Sequence, residues 1–177
     1  MKLLIVSATF CAVVALTTAT ATKARNGTVV RPLTGKQCPR GWIKQFKECF
    51  LYVSHALSWA RAQRNCAQLK ANLASVHSIM QYQFIQKLIF HATHANEEAW
   101  LGASDAQETG YWFWSDGTQF NYSDWCPGQP NNDYFTSERC LQINSSEKKC
   151  WDNKSCTNLL PSVCVKNIES FLGHSKA

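Results

Sequence analysis

Apolar residues recur along this chain with two different spacings, and the change from one to the other divides it in half. Trp59, Ala62, Cys66 and Leu69 stand at i, i+3, i+7 and i+10. That spacing makes one face of an amphipathic helix, and Ser58 before it is an N-cap residue. Cys66 is thereby turned toward the core. A second helix is predicted from Ser78, with Phe84, Ile85, Leu88 and Ile89 on its inner face and Gln81, Gln83, Gln86 and Lys87 outside. Ahead of both, Cys49-Phe50-Leu51-Tyr52-Val53 is a β-branched and aromatic run that predicts a strand, and a bridge from Cys38 to Cys49 would close a short hairpin. From Trp100 onward the helical spacing disappears. Trp100-Leu101-Gly102 and Gly110-Tyr111-Trp112-Phe113-Trp114 are short aromatic runs broken by turn residues, with Ser115-Asp116-Gly117 as a turn. Residues 121–137 carry Pro127, Gly128, Pro130, Asn131, Asn132 and Asp133, too few structure formers for a helix or strand. A loop of that length in a compact domain is usually functional or disordered, and this one has to be held by something.

The chain opens differently. Lys2 precedes an apolar stretch from Leu3 to Leu16, and Ala19-Thr20-Ala21 offers a small-residue cleavage pattern, so residues 1–21 read as a secretory signal. A membrane anchor needs about 20 apolar residues with stop-transfer flanks, and this stretch is shorter. Residues 22–37 are polar and read as a flexible arm before one domain at 38–166, with 167–177 as a tail. A chain of 177 residues with 45% apolar content has enough material for one real core.

Cysteine usage agrees with secretion. Cys11 leaves with the signal, and eight remain, enough for four disulfides. Spacing alone leaves about 105 pairings open for eight cysteines. Zinc is the rival use, but no Cys-x-x-Cys pair occurs and His91-Ala-Thr-His94 has no thiol beside it. The formal charge of +6 falls to +5 with loss of Lys2, because residues 1–21 contain no acid. The basic residues are scattered and form no stripe of the kind a nucleic-acid binder presents.

Nine motifs then occur in one order. They are Cys38-Pro39-Arg40-Gly41-Trp42, Trp59-x-x-Ala62-x-x-x-Cys66, Leu73-Ala74-Ser75-Val76-His77-Ser78, Trp100-Leu101-Gly102, Trp114-Ser115-Asp116-Gly117-Thr118, Gln129-Pro130-Asn131, Glu138-Arg139-Cys140, Trp151-Asp152-Asn153 and Val163-Cys164. Together they resemble the C-type lectin domain over nearly all of residues 38–166. The resemblance implies an α+β fold, two helices packed on short antiparallel sheets with a long loop region. It also implies the pairs Cys66–Cys164 and Cys140–Cys156, plus Cys38–Cys49 as in the family's long form. Cys126 and Cys150 remain as an extra pair that would clamp the loop to the strand beneath it. These two cysteines resemble those of fish type II antifreeze proteins and their lectin relatives.

In calcium-dependent members, the ion is held by residues that here correspond to Gln129, Asn131, Glu138, Asp152 and Asn153. All five carry side-chain oxygen, as a hard cation requires. The resemblance thus implies Ca2+ as cofactor and Gln129, Asn131, Glu138 and Asp152 as the sugar contacts. This chain departs from the family pattern twice. Gln129-Pro130-Asn131 is a hybrid of the triplets Glu-Pro-Asn, linked with mannose-type sugars, and Gln-Pro-Asp, linked with galactose-type sugars. Asp152-Asn153 reverses the usual Asn-Asp. Formal ligand charge is −2, from Glu138 and Asp152, so a weak calcium site is expected. If the amide oxygens face calcium, Gln129 and Asn131 both offer donors to a sugar while Glu138 and Asp152 both offer acceptors. Gln129 tilts the expectation toward galactosides. An auxiliary calcium site of some relatives is incomplete at Asp105 to Gly110, where Thr109 replaces a carboxylate. Trp112, Trp114 and Trp125 are read as core rather than as sugar platforms.

The implied function is a secreted lectin that recognises glycans on microbial or host surfaces, in innate defence or mucus. It has no membrane anchor and no nucleic-acid partner, and no heptads or spare cysteine mark an assembly route beyond a non-covalent homo-oligomer. Two alternatives stay open: an ice-binding protein of the type II antifreeze kind, and a calcium-independent protein-binding member of the same fold. No Ser/His/Asp or Cys/His arrangement points to an enzyme. Sequons stand at Asn26, Asn121, Asn144 and Asn153; Asn26 on the arm is the expected glycosylation site, and modification at Asn153 would destroy a calcium ligand.

Overall fold

The computed structural model describes residues 37–131 and 137–168. The expected signal, nearly all of the arm, the sequon at Asn26 and the chain beyond Ile168 lie outside these residues. Strands β1 (Ile43–Gln45) and β2 (Glu48–Leu57) form a hairpin, followed by helix α1 (Trp59–Gln68), β3 (Asn72–Leu73) and helix α2 (Ile79–Thr93). The second half holds β4 (Ala99–Ser104), β5 (Phe113–Trp114), β6 (Glu138–Ser145), β7 (Cys150–Ser155) and β8 (Leu160–Asn167). The strands join in the order β1-β2-β8-β4-β6-β7, with β3 added to β8 and β5 to β4. All pairings are antiparallel except a parallel contact of β4 with β8 at Trp100 and Ser162. The class is α+β, with both helices before the aromatic half.

The two helices begin where their serines stand, by different means. Ser78 accepts a hydrogen bond from the Gln81 backbone N–H at 3.2 Å, a side-chain cap. Ser58 occupies the N-cap position without a side-chain bond. The start of α1 is tied instead by the Trp59 N–H, which donates to the Cys156 carbonyl at 3.0 Å.

The buried face of α2 differs from the expected one. Gln81, Tyr82, Ile85 and Ile89 are buried, while Phe84 and Leu88 are half-buried against the same core. Gln81, expected outside, can be buried because both ends of its amide are paired. Its Oε1 accepts from the His77 N–H at 2.8 Å and its Nε2 donates to Glu48 at 2.9 Å.

One core cluster packs α2 against β2, β4, β6 and β8, around Phe50, Leu101, Ile143 and Trp151. A second packs α1 on Leu73, Trp100, Cys140 and Cys164. Two indoles, buried Trp100 and half-buried Trp59, bind the halves together: Trp59 donates to the Leu101 carbonyl at 2.8 Å and Trp100 to the Leu57 carbonyl at 2.9 Å. The disulfides are Cys38–Cys49, Cys66–Cys164, Cys126–Cys150 and Cys140–Cys156. Together they take up every cysteine among the described residues.

Gly102 marks a close approach between β4 and its neighbours. A Cβ there would stand 2.7 Å from the Leu73 carbonyl oxygen and 2.9 Å from Ser115 Oγ. Because the nearer obstacle is backbone, Gly102→Ala is expected to cost about 1–3 kcal/mol, the usual range for an overpacked core. Denaturant unfolding checks this, and an unchanged midpoint would refute the tight approach.

Candidate functional site: a loop held against strand β7

The loop before β6 is anchored by a single indole. Trp151 is fully buried and its Nε1 meets no acceptor, so ring packing sets its place. Five rings lie edge-on or steeply inclined to it at centroid distances of 5.9 Å (Tyr82), 5.9 Å (Trp114), 6.1 Å (Phe120), 5.7 Å (Tyr122) and 5.8 Å (Trp125). Such edge-to-face contacts each add about 0.5–1.5 kcal/mol beyond the area they bury. Three of these rings belong to residues 120–125, so the loop's first stretch is packed by its own aromatics. Trp114 is buried and Trp112 and Trp125 are half-buried against the core.

Backbone bonds continue the attachment. Trp151 N–H donates to the Asp124 carbonyl, and Cys126 N–H donates to the Trp151 carbonyl, both at 2.8 Å. The Cys126–Cys150 disulfide closes the same join covalently. At the far end of the β6–β7 hairpin the Lys149 carbonyl accepts from the Tyr82 hydroxyl and, at 3.0 Å, from Gln86 Nε2. Burial pushes the Tyr82 phenol well above its ordinary pKa, so it remains a donor.

Four of the five residues singled out from sequence meet at the loop's last described residues. Gln129 and Pro130 are joined by a cis peptide bond. The Asn131 N–H lies 2.7 Å from Gln129 Oε1 and 3.2 Å from Asn153 Oδ1. Two amide oxygens thus converge on one donor. Asn153 Nδ2 donates to the Asn131 carbonyl and to the Glu138 carbonyl, each at 3.0 Å. Asn153 is 1% exposed, and its amide ties the loop to the start of β6.

Asp152 faces elsewhere. Adjacent strand residues point to opposite faces, and Asp152 Oδ2 accepts from Ser145 Oγ at 3.0 Å, with Gln142 Nε2 at 3.4 Å. Its Oδ1 is buried and has no hydrogen-bond partner. Asp152 and Gln129 do share one pocket, of about 500 Å³, with Cys126, Pro127, Ser145 and Glu147. Among the described residues no three His, Cys, Asp or Glu side chains gather as metal ligands.

Sequence reading missed the support behind Asp152. Gln142, 1% exposed, accepts from Lys154 Nζ at 3.4 Å and holds its own Nε2 at 3.4 Å from Glu98. Lys154 also pairs with Glu98 at 2.7 Å. The available signal was Gln142 itself, an uncharged polar residue in the otherwise apolar run Leu141 to Ile143. Asp105, in the incomplete auxiliary motif, is buried and takes the Gly110 N–H at 2.8 Å and Arg139 at 3.3 Å.

The sequence profile of the Lectin C-type domain matches residues 55–166. Ladderlectin of Oncorhynchus mykiss is 39% identical over 96% of this chain and 96% of its own length. The galactose-specific lectin nattectin of Thalassophryne nattereri is 36% identical, covering 74% of this chain and 81% of its own. The solved structure of a Ca2+-dependent type II antifreeze protein in its Ca2+-free form superposes with a TM-score of 0.69 at 41% identity, over 73% of this chain and all of that one. The chain belongs to the C-type lectin domain family, with fish lectins and type II antifreeze proteins among its relatives.

The attachment of the loop through Asn153 is open to test. Asn153→Asp removes both donated hydrogen bonds and sets a carboxylate against two carbonyl oxygens. A loss of about 1–3 kcal/mol is expected, the cost of leaving buried polar groups unpaired, together with faster proteolysis of the Pro127–Asn131 stretch. Unchanged stability and cleavage would remove Asn153 from this role.

Proposed function

We propose that this chain is a secreted lectin that binds the terminal residue of a glycan through calcium, with galactosides preferred to mannosides. Gln129, Asn131, Glu138, Asp152 and Asn153 are the proposed calcium ligands, with Asp152 joining the other four through the pocket it shares with Gln129, and the first four also contact the sugar. The observation that carries this reading is the Asp152 carboxylate, with a buried, unpartnered oxygen, in one pocket with Gln129. A buried carboxylate oxygen without a partner is costly unless something else satisfies it. The donor set is hard oxygen throughout and fits calcium in kind. Gln129 Oε1 and Asn153 Oδ1 each retain a second lone pair beyond the bond to Asn131 N–H. A bound calcium ion would supply a positive centre to which sugar hydroxyls can add as ligands.

On the sugar side, Gln129 and Asn131 supply amide donors, while Glu138 and Asp152 supply acceptors. The galactoside preference rests on Gln129 and on kinship with a lectin named as galactose-specific. Secretion is supported by the Leu3–Leu16 leader pattern and by the pairing of all eight cysteines among the described residues, which implies an oxidising compartment. Among the described residues no helix is long and apolar enough to cross a membrane. Glycans on microbial or host surfaces are the proposed partners. Ice binding is the second reading, favoured by the 41% identity to a Ca2+-dependent antifreeze protein.

The mature protein should be retained on immobilised galactose in calcium, less on mannose, and released by a chelator. Asp152→Ala should lower calcium affinity on the order of 10-fold, since affinity follows ligand charge. Retention that survives chelation would overturn the calcium mechanism. Loss of retention on both sugars, with thermal hysteresis in solution, would move the assignment to ice.

A further inference from the structure

Three of the four sequons lie among the described residues, and the fold treats their amides differently. At Asn153 both hydrogens of Nδ2 are committed, to the Asn131 and Glu138 carbonyls at 3.0 Å. At Asn144, 5% exposed, Nδ2 donates to the Glu97 carbonyl at 2.9 Å. A sugar on either nitrogen would replace a donated hydrogen and occupy volume already filled by backbone. Attachment during synthesis does not remove the conflict, because a chain modified there could not close the β6–β7 hairpin or seat the loop.

Asn121 differs on each count. It is exposed, as are Gln119 and Ser123 around it. Its side chain meets His77 in an exposed contact, 3.4 Å from Nδ1. A glycosylated secondary amide keeps its oxygen and one N–H, so this contact does not depend on the second amide hydrogen. His77 is in turn placed by Thr118, whose Oγ1 lies 3.2 Å from Nε2 and donates to Asp116 at 2.6 Å. Meanwhile Tyr122, between Asn121 and Ser123, is drawn inward against Trp151, so its two neighbours are left facing outward. Residues 121–123 belong to no helix or strand.

We propose that Asn121 is the glycosylation site of the folded domain, carrying an asparagine-linked oligosaccharide, and that Asn144 and Asn153 are unmodified. The donor is an oligosaccharide on a polyisoprenyl diphosphate, the class of co-reactant this modification needs. Nδ2 forms a bond to the anomeric carbon and gives up one proton. The bond from that carbon to the diphosphate oxygen breaks, and the lipid diphosphate leaves with its electron pair; nothing is oxidised or reduced. The proposal rests on the secretion reading above, since only a chain entering that pathway meets such a donor.

The full chain should be expressed in animal cells, recovered from the medium, and treated with an amidase that cuts asparagine-linked glycans in heavy-oxygen water, followed by peptide mass analysis. The Asn121 peptide should carry the isotopic mark, and the Asn144 and Asn153 peptides should not. Asn121→Gln and Ser123→Ala should each remove one glycan's mobility shift while the protein is still secreted, whereas Asn144→Gln should leave the shift unchanged. Secreted protein with an unmarked Asn121, or with marked Asn144 or Asn153, overturns the assignment while leaving secretion intact. An unglycosylated chain confined to the cytosol would overturn the secretion reading, and the site with it.

Discussion

The packing of five aromatic rings about Trp151 is the constraint on which the second half of this domain depends. Strand β7 is at the end of the sheet order, bonded to β6 on one side. Its other side receives the loop through the Trp125–Trp151 bridge. The indole occupies the core between α2 and the sheet, and rings from the helix, from β5 and from the loop all converge on it. Since Trp151 Nε1 has no acceptor, its location is fixed by shape and by the quadrupolar preference for edge contacts. The next two residues along the strand, Asp152 and Asn153, inherit that fixed position. The neighbouring residue on the other side, Cys150, carries the disulfide that pins Cys126 over the same strand.

Asp152 and Asn153 then divide the work by strand alternation. Asn153 points toward the loop and β6, where only a group with both donors and an acceptor can serve Asn131 and Glu138 together. A carboxylate at that position has no hydrogen to give. The reversal of the family's usual order is therefore structural here and leaves the formal charge of the pair unchanged. Asp152 has the opposite character: it is held on one oxygen by Ser145, approached by Gln142, and backed by the Glu98–Lys154 pair, while its other oxygen is unmatched. The half of the pair that is structurally complete and the half that is chemically unfinished stand one residue apart.

Much of this architecture was legible in the sequence because it depends on local periodicity. The spacing of Trp59, Ala62 and Cys66 places α1, the run after Cys49 places β2, and the short aromatic runs from Trp100 onward mark the shift to β structure. The burial of Gln81 was not legible, because its partners, His77 N–H and Glu48, come together only in the folded protein. The same holds for Ser58, which stands at a cap position while a distant carbonyl at Cys156 supplies the anchor. Eight cysteines announced a framework, but choosing among its pairings needed the family resemblance, since spacing leaves them all open. At the site, residue types suggested five oxygens, and no one-dimensional pattern could tell that Asn153 spends its amide on the backbone. Gln142 was overlooked for a related reason, as its importance lies in what a neighbouring strand presents to it.

The register of the terminal strands bears on how such a domain can be displayed. Cys38 is joined by a disulfide to Cys49 in β2, and Cys49 lies opposite Lys166 in β8, so the chain enters and leaves the described domain side by side. In the sheet order, β7 is four strands from β2, roughly 19 Å at the usual spacing of about 4.8 Å. A tether, a fused partner or a solid support joined through residues at either end would thus grip one margin of the sheet. The loop and the Asp152 pocket, at the other margin, would remain presented to whatever approaches from solution. Domains with neighbouring ends also accept being strung in series or inserted into another chain. If individual sites bind weakly, that arrangement gives a direct geometric route to avidity, with several copies held by their ends and their binding margins left outward.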